Sequence, residues 1–274
     1  MSFIKLSPSR NVSIALIAAP LVIPVIYMAF LTHNISRSTK SSNGTQYQKG
    51  GPQRLVQRHG ENENIMPGKP ASLPDDVRSE DSDWVLTYER VTSAPVPLRS
   101  LALSPTSTLS GSPSPLLRTY TSGAHVAFSS TPQAILIRSL VDTETKRTFE
   151  ASWIQNLQFE PGDVVNGAYK VSYYGQGNET GSERIELMIQ APPSYKGPVP
   201  NGLIISEIVL IEGAPSGSFP GDRAGDDHVV FINETWMWRK ESEKPTLVEL
   251  KVSGWMHRLM AGWLIKKGIN AVSL

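Results

Sequence analysis

The chain of 274 residues contains no cysteine. Disulfides, thiol nucleophiles and cysteine-based zinc sites are therefore excluded, and a disulfide-stapled secreted module is disfavoured. Acidic residues are missing from the first 60 positions. There the charges are Lys5, Arg10, Arg37, Lys40, Lys49, Arg54 and Arg58, and the first acid is Glu61. Over the whole chain the net charge is only +1, which argues against a nucleic-acid binder held by phosphate contacts. No GxSxG nucleophile elbow is present. Neither "GQGNETG" nor "GDRAGDD" follows a strand and opens a helix, as a phosphate loop must. His125 and His228 have no partner at metal-ligand spacing, and Asp226–Asp227 sits in a loop. No metal or cofactor is expected.

What is present at the start is an uncharged run, "VSIALIAAPLVIPVIYMAFL", Val12–Leu31. Its 20 residues span a hydrocarbon core at about 1.5 Å per residue. It is longer than the apolar region of a cleaved signal peptide, and no small-x-small site follows. A single membrane-spanning helix is expected, preceded by a short tail over residues 1–11. An acid-free start containing Ser and Arg also permits a mitochondrial presequence. Basic residues flank the run on both sides, so the positive-inside rule gives no orientation. Residues 32–82 are polar and rich in Gly, Pro, Ser and Asn, and are expected to form a disordered tether. Sequons occur at Asn34, Asn43, Asn178 and Asn233.

Residues 83–274 carry the patterning of an α+β domain. "DWVLTYERV" (Asp83–Val91) reads as a strand. Helices are expected over Leu116–Phe128, in "STPQAILIRSLV" and in "TETKRTFEASWIQNL". In the second, Thr131 caps, Pro132 takes the first turn, and Ile135, Leu136 and Leu140 share a face. In the third, Phe149, Trp153 and Leu157 recur every four residues. The period then becomes two. Tyr169, Val171 and Tyr173 alternate with polar residues, as do Ile185, Leu187 and Ile189. "LIISEIVLIEG" is nearly apolar throughout and should be covered on both faces. "HVVFINETWMWRK" is the last strand of an antiparallel sheet of four to six strands. A long amphipathic helix closes the chain, with Val252, Trp255, Met256, Leu259, Met260, Trp263 and Leu264 on one stripe.

Short helices, an antiparallel meander and a long carboxy-terminal helix resemble the helix-grip (START-like) arrangement, in which a curved sheet wraps the helix around an apolar cavity. The stretches "AFSSTPQAILIRSL", "VNGAYKV" and "FINETWMWRKESEKPTLVE…GWMHRLMAGWLIKKG" are similar to an uncharacterised family of fungal membrane-anchored proteins. That similarity covers roughly the last 150 residues and implies no activity.

Alternation in "NETWMWRK" puts Val230, Ile232, Glu234, Trp236 and Trp238 on one face of the last strand. The opposite face carries Phe231, Asn233, Thr235, Met237 and Arg239. Two indoles and a carboxylate on one face fit either a ligand wall or a core edge. The candidate ligand-binding set is Trp236, Trp238, Glu234, Met256 and Met260, in a groove between sheet and final helix. Glu234 and His257 are the candidate acid–base pair. The expected function is a membrane-anchored domain binding a small apolar or lipid-like molecule. The alternatives are an isomerase or cyclase acting on a hydrophobic substrate in the same cavity, and a tethered interaction protein without a cavity. The expected partners are the membrane and the small molecule, with no nucleic acid.

Overall fold

The computed structural model describes residues 29–47, 54–59 (as backbone), 67–79, 82–105, 111–193, 195–197, 199–213 and 226–274. The chain divides into two units, Met1–Ser38 and Thr39–Leu274. In the first, residues 29–36 are helical. Most of the expected membrane span, residues 12–28, lies outside the described residues. Among those described, no helix is long and apolar enough to cross a membrane.

The second unit is α+β, built among the described residues on one antiparallel sheet of nine strands. Its longest strand is β9 (His228–Lys240). On one side β9 pairs with β3 (Trp84–Ser93), and the short β4 (Val96–Pro97) continues that edge. Beyond β3 lie β1 (Thr39–Tyr47) and β2 (Arg54–His59). On the other side β8 (Gly202–Ile211), β7 (Ser182–Ile189), β6 (Tyr169–Gln176) and β5 (Val164–Val165) run outward as a meander. The tether expectation is thus corrected for residues 39–47, 54–59 and 67–79. β1 takes nine consecutive pairs from β3, although "TKSSNGTQY" has no apolar alternation. Its pairing is imposed by the open edge of β3, not by its own pattern. Residues 67–79, with α1 (Asp75–Arg78), lie over the sheet.

Period-two alternation divides the sheet into two faces. One face presents Val91, Phe231, Ile208, Ile185, Leu187 and Val171 to the helices, forming the main core. The other presents Leu86, Tyr88, Leu203, Ile205, Trp236 and Trp238, which Leu73 and Val77 cover. Both faces of β8 are therefore buried, as its unbroken apolar sequence required. In β6 a bulge falls between Val171 and Tyr173. It carries Tyr174, not the expected Tyr173, to the core side, where its hydroxyl donates to Glu183 Oε1 at 2.9 Å.

The helical layer begins with α2 (Pro115–Phe128). Ser114 Oγ accepts from Leu117 N, Pro115 needs no partner for its missing N–H, and Glu183 accepts from Ser114 N at 2.6 Å. Gly123, a poor helix former by propensity, allows a close approach: a Cβ there would lie 2.5 Å from Ala271 Cβ. In α3 (Pro132–Leu140) Thr131 caps Ala134 N as expected. Its apolar face is not buried, however; Ile135, Leu136 and Leu140 are exposed. The expected third helix is two short ones, α4 (Thr143–Arg147) and α5 (Ala151–Asn156). The chain leaves the helix between them, and this buries Phe149 while leaving Trp153 exposed.

The last helix, α6 (Lys251–Val272), does not pack on its large apolar stripe. Val252, Trp255 and Met256 are exposed, Met260 and Trp263 are half-buried, and only Leu259 and Leu264 are buried. The packing face is instead Gly254, Ala261, Ile265, Gly268 and Val272, spaced by helical turns. Small residues win because they let the helix sit against α2: a Cβ on Gly268 would meet the Tyr120 ring at 2.5 Å and its carbonyl at 2.9 Å. The approach to α6 is fixed by Arg239 at the end of β9. Its guanidinium grips Glu249 with two bonds of 2.9 and 3.0 Å. Its remaining nitrogen donates to the carbonyls of Lys240, Glu241 and Glu243.

Candidate functional site

Between the sheet and α6 lies a cavity. Its floor is Tyr169 from β6, Ile204 and Ser206 from β8, and Asn233 and Thr235 from β9. Ala124, His125 and Phe128 of α2 close one side; His257, Met260, Ala261 and Leu264 of α6 close the other. Its volume is ≈ 40 Å³, room for a few water molecules at most. The floor is polar at its centre because the β9 positions that face the helices after Phe231 are Asn233 and Thr235, with Ser206 beside Asn233 in register.

Two histidines border this space, and each is held by a specific acceptor. His257 Nδ1 lies 2.6 Å from Glu89 Oε1 on β3. The contact engages Nδ1 of the ring, which leaves Nε2 as the other nitrogen. Glu89 is buried, and its second oxygen is 3.6 Å from Arg258 Nη1. His125 Nδ1 lies 2.7 Å from Asn166 Oδ1, whose amide nitrogen donates to Ser129 Oγ at 2.8 Å. That second bond orients the amide and places the His125 proton on Nδ1. Asn166 is fully buried at φ 50 and is followed by Gly167 at φ 66. These are the left-handed residues of the turn joining β5 to β6, a conformation that Asn and Gly tolerate best. Burial pulls the His125 pKa down to about 4, against the opposing Asn166 bond.

The structure separates the residues expected to form one site. Of the five ligand-binding candidates, only Met260 lines the cavity; His257 joins it from the acid–base pair. Met256 is exposed on the outer side of α6. Glu234, Trp236 and Trp238 face the opposite side of the sheet, against Leu73 and Val77. Glu234 and His257 are therefore not an acid–base pair. The wall-or-core choice for the two tryptophans resolves to core, since Trp236 is 0% and Trp238 5% exposed.

Glu234 is a buried carboxylate within that second core. Trp236 Nε1 donates to its Oε2 at 2.8 Å, and Arg90 Nε is 3.5 Å from its Oε1. Burial pushes its pKa up to about 7, with Arg90 pulling the other way. Neighbouring Glu207 is raised for the same reason. Ser182 is close enough to moderate that shift, but its hydroxyl donates to the Glu179 carbonyl at 2.7 Å. Glu186 binds Arg184 and accepts from the backbone N–H groups of Ala71 and Ser72. It pins residues 67–79 to the sheet.

These two buried groups make opposite contributions to stability against pH. Folded Glu234 keeps its proton up to about 7, whereas the unfolded group loses it near 4.5. Its contribution is full below the unfolded value and is lost as pH rises through the folded one. Folded His125 resists protonation down to about 4, whereas the unfolded ring charges near 6.5. Its contribution is full above the unfolded value and is lost as pH falls through the folded one. At about 1.4 kcal/mol per pH unit each effect is on the order of 3 kcal/mol, and the two oppose each other over most of their range. Glu234→Gln should therefore lose stability relative to wild type as pH falls from about 6.5 to about 4.5, with His125 unopposed. His125→Asn should gain stability over the same interval. Urea midpoints across the range test this as differences from wild type; three parallel profiles would refute it.

Sequence reasoning missed His125, Tyr169, Ser206, Asn233 and Thr235 as neighbours of one space, and Glu89 and Asn166 as the partners of its histidines. One signal was available: Glu89 shares a strand face with buried Val91, a place where an acid needs a partner. Of the sequons, Asn43 is buried in β1 and Asn233 faces the cavity, whereas Asn178 lies on the β6–β7 turn and donates to Gly68 O. Comparison with family models, with curated proteins and with solved structures returned no match.

Proposed function

We propose that the domain binds a small molecule with an apolar body and a polar group in the cavity between the sheet and α6, in the helix-grip manner. The observation that carries this reading is the convergence of Ser206, Asn233 and Thr235 beneath a roof of Phe128, Met260 and Leu264. A polar floor under an apolar roof orients an amphipathic ligand. The order β3, helices, five further strands and α6, with β3 against β9, supports the helix-grip reading. The present volume holds no acyl chain. A lipid-like ligand requires the first half of α6 to move outward, which breaks the His257–Glu89 contact and unpacks Gly254 and Leu259, while Val252, Trp255 and Met256 already lie outside the core. In the same reading Val12–Leu31 tethers the domain to a membrane; its length and lack of charge are the support.

A second reading is an isomerase or cyclase, and the His257–Glu89 pair favours it. A ring held by a carboxylate at 2.6 Å has the arrangement of an oriented general base.

Native mass spectrometry of the full chain released from detergent tests the binding reading. Wild type should carry a co-purifying small molecule, and Asn233→Leu, which fills the floor, should not. The same adduct on both proteins, or on neither, would count against the cavity.

A further inference from the structure

The α6 helix is apolar on two opposite sides. One side, Gly254, Ala261, Ile265, Gly268 and Val272, is packed within the domain. The other begins with Val252, Trp255 and Met256, which are 71%, 41% and 54% exposed. Leu247 and Leu250, in the turn leading into the helix, are 53% and 51% exposed. A soluble helix normally turns a polar side outward, and five large apolar side chains exposed within ten residues exceed the scattered apolar surface of an ordinary monomer.

The helix that carries this patch has charges of one sign, while exposed Glu241 and Glu243 lie in the loop before it. From Lys251 to Leu274 the chain contains Lys251, Arg258, Lys266 and Lys267 and no Asp or Glu. The nearest preceding acid, Glu249, is neutralised by the two bonds from Arg239. Trp255 and Met256 between lysines form the composition of a helix that lies in the headgroup layer, with apolar side chains inward and cations toward lipid phosphates.

We propose that the outer side of α6, from Leu247 to Met256, rests on the surface of an anionic phospholipid bilayer. Charge selects this occupant. A second copy of the chain would bring the same cations face to face. The amino-terminal segment, with no acid before Glu61, offers the patch no negative charge either. The proposal is independent of the cavity, which lies on a different flank of the helix.

The absence of cysteine makes the test direct, because Met256→Cys is then the single thiol of the full chain. This variant is labelled with an environment-sensitive nitrobenzoxadiazole and reconstituted into vesicles of phosphatidylcholine, with or without phosphatidylserine. With phosphatidylserine, the label should shift to the blue. It should lose severalfold in quenching by aqueous iodide and become quenched by nitroxide-bearing lipids. The paired change Lys251→Glu and Lys267→Glu should reverse this. A label at Gln155→Cys, on exposed α5, should not respond. Unchanged iodide access in anionic vesicles overturns the proposal, as does equal shielding in both vesicle types. Shielding that is already complete in detergent would assign the patch to the chain's own amino-terminal segment. Shielding that grows with protein concentration would assign it to a second copy. Either result overturns the bilayer assignment.

Discussion

Trp236→Ala is expected to cost about 3–5 kcal/mol, the usual range for removing a buried tryptophan. A domain stability of roughly 5–15 kcal/mol makes that a large fraction of the total. Trp236 is completely buried in the second core, with its ring 5.5 Å from that of Tyr88. Its indole nitrogen is also a hydrogen-bond donor to Glu234, at 2.8 Å. Truncation therefore opens a cavity and leaves a buried carboxylate oxygen without its donor, a further cost of about 1–3 kcal/mol. Trp236→Phe retains most of the ring volume and isolates the second cost. Chemical denaturation of both variants should rank them in that order. A loss below about 1 kcal/mol for the alanine variant would mean that the cover of residues 67–79 is not packed on the sheet.

Arg239→Ala is expected to be comparably severe, at about 3–5 kcal/mol, the range for removing one partner from a buried ion pair. Arg239 does more than neutralise Glu249. Its five contacts gather the carbonyls of the loop between β9 and α6 and fix where the helix begins. Glu249 in turn accepts from Thr246 N. The alanine variant strands that carboxylate, so Arg239→Ala together with Glu249→Ala should cost clearly less than the sum of the single changes. Additive costs would show that the two side chains act independently. Lysine at 239 should not rescue the domain, since an ammonium cannot reproduce the two parallel bonds.

Much of the sheet was legible because it is patterned by burial. β7, β8 and β9 alternate or run apolar according to what covers them, and β3 follows suit. The proline-capped α3 was equally readable, since Pro132 marks its first turn and Thr131 supplies the cap; Ser114 and Pro115, which do the same for α2, stand in a stretch of loop composition. The missing strand β1 has no such signature. Its residues are Thr, Ser, Asn and Gln, and its place is set by the partner it completes. The final helix misled for a different reason. Its large side chains mark one stripe, whereas Gly254, Ala261 and Gly268 allow the close approach and leave Trp255 and Met256 outside. A stripe of small residues carries little hydrophobicity, so periodicity weighted by side-chain size passes over it. The site failed on topology. Alternation placed Glu234 and Trp236 correctly on one face, but which face meets α6 is decided by the whole sheet. The His257–Glu89 contact joins residues 168 positions apart.

The placement of β3 beside β9 also dictates when the domain can exist. Their paired residues are separated by 140 to 156 positions in the chain. At a synthesis rate of about 5–20 residues per second, β3 waits roughly 7–30 s for its neighbour to leave the ribosome. Until then the nascent chain holds two separate fragments, the β1–β2–β3 group and the β5–β8 meander, without the strand that joins them. Each exposes an unpaired edge that invites association with other chains. Those edges are the sides of β3 and β8 that β9 later covers. A ribosome that stalls or terminates before residue 228 releases a chain without the central strand, in which the two fragments have no common sheet.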